Sequence, residues 1–147
     1  MPGLPPAEQP LPDNTRQFID ACFQIILPMF EDDDKNNVAR VCESVAHVVA
    51  TCGSPGVDAY MTKIAPALMN ILAGTASCQN VDDEDYDDVE SVKAEDLILF
   101  EACCDCIVNL AKAYGPLFVN FFPLLQNIST YLVRTNQTLD SDLQRKN

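Results

Sequence analysis

The chain has 147 residues, 48% of them apolar, and a net charge of −13, which suits one ordinary domain or a few repeat units around a buried core. Lys and Arg together number 9 against 22 acids, so direct nucleic-acid binding is excluded as an expectation, because it needs basic side chains to displace counterions along phosphates. Basic proteins are the favoured partner class, drawn by long-range attraction that salt weakens.

Residues 1–12 hold five prolines and no apolar period, and are read as a disordered or extended lead-in. They lack the basic-then-apolar order of a signal peptide. A helix over about 14–30 follows, entered at Asp13-Asn14-Thr15, which are good N-cap types. Its apolar residues Phe18, Ile19, Cys22, Ile25, Ile26 and Met29 keep helical spacing. After the acidic turn at 31–34, a second helix over about 36–52 carries Val38, Val41, Cys42, Val45, Val48 and Val49. It stops at Gly53, where glycine adopts a left-handed conformation cheaply. "SPG" makes a corner, and a third helix over about 57–73 stops at Gly74.

An acidic loop is expected over about 75–93. Its centre is "VDDEDYDDVESVKAED", in which nine acids stand against one lysine. Asp82, Asp83, Glu84, Asp85, Asp87, Asp88 and Glu90 form the densest part. A fourth helix over about 94–114 and a fifth over about 116–134 meet at the Gly115-Pro116 corner. A further helix starts from about 137. No strand pattern competes, so the expected fold class is all-α. No apolar stretch reaches the eighteen or so residues that a membrane span requires.

The pattern repeats itself. "VCESVAHVVATCG" (41–53) aligns without a gap on "CCDCIVNLAKAYG" (103–115), placing Val45 on Ile107 and Val49 on Ala111. "IILPMF", "KIAPALMNIL" and "NFFPLLQNIS" share a proline within a helix: Pro28, Pro66 and Pro123. Each proline gives up one helical hydrogen bond and tends to bend its helix. Helix, tight corner, helix, with roughly 40 residues per unit once the acidic insert is set aside, is the pattern of a HEAT-type α-solenoid. About two and a half repeats fit in 13–147.

The order of several pieces carries a resemblance. "PDNT" enters a helix ending in "ILPMF", and a corner follows at Cys52-Gly53. "LMNILAGTASCQN" runs into the acidic stretch, followed by "AEDLILFEA" and "YGPLFVNFFPLL". Over roughly residues 13–138 the chain resembles the later HEAT repeats of the importin-β (β-karyopherin) family of nuclear import receptors, importin four type. Receptors of this kind are several times longer, so the resemblance implies a fragment. It also implies cargo binding: transport of basic proteins, typically histones and ribosomal proteins, from cytoplasm to nucleus. The Ran GTPase would be engaged through earlier repeats that are absent here. The resemblance places the second helix of each pair on the concave inner face, which nominates Asp20, Gln24, Asp58, Asn70, Asn120, Gln126 and Asn127 as cargo-binding candidates. Amides there would hydrogen-bond an extended backbone, and acids would pair with Lys or Arg. The bland alternative is that these residues form the wet side of amphipathic helices. A non-catalytic HEAT scaffold for protein–protein interaction, without a transport role, is the alternative function.

Chemistry has little to stand on. The one histidine, His47, sits in a helix-packing stripe with Ser44 at helical spacing, and no oxyanion hole or phosphate loop is evident. No enzyme activity is therefore expected. "CCDC" (103–106) places adjacent cysteines about 100° apart on a helix, which suits core packing better than one zinc ion. The acidic run has no glycine for a calcium loop. No cofactor or metal is expected. Seven cysteines, six of them in apolar helical patterns, point to reduced thiols in cytosol or nucleus, where the sequons at Asn127 and Asn136 stay unmodified.

Overall fold

The computed structural model describes residues 10–79 and 89–121. Among the described residues four α-helices carry the fold: α1 (Asp13–Ile26), α2 (Lys35–Cys52), α3 (Met61–Ala73) and α4 (Val89–Tyr114). The described residues contain no strand, and no helix among them is long and apolar enough to cross a membrane. The architecture is all-α.

Several element boundaries differ from the sequence reading. The helix expected over 14–30 is α-helical only to Ile26 and then tightens into a 3₁₀ turn, Leu27–Glu31. Pro28 is the reason, because it has no N–H to continue the α-helical ladder. The helix expected from 57 begins as two 3₁₀ turns, Ser54–Gly56 and Asp58–Tyr60, and becomes α-helical at Met61. Of the helix expected over 116–134, the described part is a 3₁₀ helix, Gly115–Phe121, and the remainder lies outside the described residues. So do residues 1–9 of the lead-in and the further helix from 137.

The acidic loop also shrinks from both sides. Ser77–Gln79 forms a 3₁₀ turn that buries Cys78, and Gln79 Nε2 donates to the Ile71 carbonyl at 3.0 Å. On the other side α4 starts at Val89 rather than at 94. This end of the run is therefore helix rather than loop.

Other local choices follow simple chemistry. Asp34 caps α2, its carboxylate accepting the Asn36 N–H at 2.8 Å. The corner glycines Gly53 and Gly115 have φ of +72° and +56°, a region that side chains with a Cβ avoid.

Helix order in space is readable from cross-helix pairs. Lys35 Nζ meets Asp96 at 2.7 Å, and the Cys42 and Cys103 thiols lie close together. Both partners lie 61 positions further along the chain, so α2 and α4 run parallel in a fixed register. That register is within one residue of the offset between the two aligned sequence segments. Arg16 reaches the Pro55 carbonyl and Tyr60 reaches Asp20, so α1 and the segment leading into α3 also run the same way. Tyr114 pairs with Asp58 and Cys103 with the Leu68 carbonyl, which makes α3 antiparallel to α4.

The interface of α2 with α4 is the most extensive between any two described helices. Its buried faces are built from Val38, Val41, Cys42, Val45 and Val49 on one side. Ala102, Cys103, Cys106 and Ile107 are buried on the other. Small and β-branched side chains let the two backbones approach closely. Each fully buried Val or Ile contributes about 1.5–3 kcal/mol from area removed from water.

Candidate functional site

The parallel arrangement of α1 and α3 leaves a groove of about 430 Å³ between them. Phe23, Leu27 and Phe30 from the first helical segment and Ala67 from α3 supply apolar lining, and Gln24, Asn70, Glu31 and Lys63 supply polar groups. Pro28 and Pro66, singled out in the sequence as helix benders, face this same groove. Its volume falls within the range of ordinary ligand pockets.

Two of the seven cargo-binding candidates, Gln24 and Asn70, line the groove, and both are exposed. Asp20 is half-buried and already engaged, since the Tyr60 hydroxyl donates to its carboxylate. The Tyr60 ring also meets Phe23 edge-on at 4.9 Å between centroids, a favourable aromatic geometry. The hydrogen bond to Asp20, followed by burial, raises the Tyr60 hydroxyl above its ordinary value. Asp58 is likewise engaged, accepting from the Tyr114 hydroxyl at 2.9 Å. These two acids therefore tie segments of the fold together.

Asn70 has a second role, its backbone carbonyl accepting the Thr75 N–H at 2.9 Å at the end of α3. Asn120 is exposed on the 3₁₀ helix Gly115–Phe121, among none of the residues that line the groove. Gln126 and Asn127 lie outside the described residues, as do Asp82, Asp83, Glu84, Asp85, Asp87 and Asp88. Glu90 falls in the first turn of α4.

Ser44 turns its hydroxyl back to the Arg40 carbonyl at 2.8 Å, and His47, expected in a helix-packing stripe, is instead exposed. Cys42, Cys103 and Cys106 are fully buried between α2 and α4. Contact with Cys42 and then burial push the Cys103 thiol up, and burial raises Cys106. Both stay protonated, and the thiolate is the nucleophilic and metal-binding form. Among the described residues no three His, Cys, Asp or Glu side chains gather in a way that would hold a metal ion.

Two groups that matter escaped the sequence reading. Lys35, which lies between the turn at 31–34 and the helix expected from 36, is buried and pairs with Asp96 across the tops of α2 and α4. Tyr60 lies in the helix expected from 57, and its hydroxyl fixes the wall of the groove by donating to Asp20. Comparison of the chain with family models, curated proteins and solved structures finds no match.

Proposed function

We propose that the chain is a cargo-binding segment of a nuclear transport receptor of the importin-β type, built from HEAT-type repeats of an α-solenoid. Its cargo would be basic proteins, such as histones and ribosomal proteins, carried from cytoplasm to nucleus. Ran would act through repeats that this chain lacks. The observation that carries the reading is the parallel register of α2 with α4, 61 residues apart, where the sequence repeats itself. Stacked repeat units place equivalent helices side by side and parallel in this manner. Supporting it, α1 and α3 form a second layer whose groove presents Gln24 and Asn70, the amide groups that an extended backbone needs. The net charge of −13 favours a basic partner.

A non-catalytic HEAT scaffold is the second reading. What favours it is that Asp20 and Asp58 are engaged by tyrosines rather than presented to a partner. The test is binding of a lysine-rich histone-tail peptide to the full chain and to a version with the acids of 82–90 neutralised, across a salt series. Salt-sensitive binding that weakens in the neutralised chain is expected. Equal affinity of the two at low salt removes the acidic run from the mechanism. No binding of any basic ligand leaves the scaffold reading.

A further inference from the structure

Proline deletes one donor at a known place. In an α-helix the carbonyl of residue i accepts from the N–H of residue i+4, and a proline at that position has none to give. Pro66 lies inside α3, so the Thr62 carbonyl lacks its usual helical donor. Pro28 does the same to Gln24, and the next N–H, that of Leu27, is given to the Phe23 carbonyl instead. Gln24, Pro28, Thr62 and Pro66 all line the groove between α1 and α3. Two helical segments thus each bring to a single cleft one proline and the residue whose carbonyl it deprives of a donor.

The other groups in the cleft suit the same kind of ligand. Glu31 adds a carboxylate, one oxygen of which already accepts from the Ser77 hydroxyl at 2.9 Å, and Gln24 and Asn70 add amide oxygens, that of Asn70 3.4 Å from the Thr75 hydroxyl. Tyr60 offers aromatic surface, its ring backed by the buried Phe23 and fixed by its hydroxyl on Asp20. Lys63 is the single cation among the lining residues and is exposed, so its stem can lie on the apolar wall while its ammonium stays in water.

We infer that this groove receives an arginine side chain of the basic partner. The inference deepens the binding role proposed above and rests on it. A guanidinium carries five donors in one plane and stacks on aromatic faces, so it can serve acceptors presented by two different helices at once. A lysine ammonium is a compact, strongly hydrated point charge and gains less from acceptors spread across a cleft. The acidic chain supplies the charge complementarity for either cation, and the carbonyl pair selects between them.

Two peptides of equal length and charge, one bearing arginines and the other lysines in the same positions, are titrated into the full chain at fixed salt. The arginine peptide is expected to bind about fivefold tighter, the equivalent of one additional net hydrogen bond. Pro66→Ala returns an N–H to the Thr62 carbonyl, and alanine favours the helix, so this variant should remain folded while losing most of the preference. Its melting curve checks the fold, and Pro28→Ala repeats the test on the other wall. Equal affinities in the parent chain, or a preference unchanged in both proline variants, overturn the arginine assignment and leave basic-partner binding standing. Failure of both peptides to bind overturns the two together.

Discussion

Tyr60 joins three jobs in one side chain: it packs on Phe23, donates to Asp20 and walls the groove. Folding makes its hydroxyl hold its proton more tightly, so the stabilisation it gives is complete below its ordinary value of 10.0 and fades as pH rises above it. The buried thiols Cys103 and Cys106, also raised by their surroundings, add a loss that begins lower, from their ordinary value of 9.0. Stability should therefore fall above about pH 9 and more steeply beyond about pH 10. Tyr60→Phe should cost about 1 kcal/mol at neutral pH and abolish the second, steeper part. Urea midpoints measured from pH 7 to 11 on parent and variant would show this, and an identical alkaline limb in both would count against it.

Among elements, the parallel pair α2 and α4 carries most of the packing. At its top the buried Lys35 meets the half-exposed carboxylate of Asp96. Burial of one partner makes this pair worth more than a surface ion pair, so a double-mutant cycle of Lys35→Met and Asp96→Asn should give a coupling of about 1–2 kcal/mol. A coupling indistinguishable from zero would mean that the register of the two helices is held by the apolar face alone. The existence of all four helices was legible in the sequence, since stripes such as Val38 to Val49 have one helical reading. Their ends were less so. Pro28 converts the end of α1 to a 3₁₀ turn, and α4 begins at Val89 rather than near 94; both differences are short and leave the periodicity intact. Of the candidate site, Gln24 and Asn70 were legible as polar breaks in apolar stripes. That Asp20 and Asp58 are consumed by Tyr60 and Tyr114 depends on contacts 40 and 56 residues away, which no local pattern encodes.

On the scale of the molecule, apolar surface remains open at several places. Phe18 and Ile25 are 70% and 73% exposed, seven positions apart and so on one face of α1. Leu97 and Val108 are exposed on α4. Surfaces of this kind drive association, and stacked-repeat architectures cover them with neighbouring units. The chain is therefore expected to self-associate as concentration rises. Phe18→Asp with Ile25→Asp should shift it toward monomer in sedimentation runs at several concentrations. A parent chain that stays monomeric throughout would show that these side chains are not adhesive.

The fixed 61-residue register between α2 and α4 also bears on how the chain finds its fold. Bringing Lys35 to Asp96 closes a long loop, whose entropic cost grows only with the logarithm of its length, by about 0.6 kcal/mol for each doubling. Adding or removing several residues within the acidic run changes that cost by a small fraction of this amount. The partners at either end leave no such latitude, since a slip of one position parts Lys35 from Asp96 and Cys42 from Cys103 together. Thermodynamics thus leaves the length of the acidic run nearly free, while the pairing of α2 with α4 is held to a single residue.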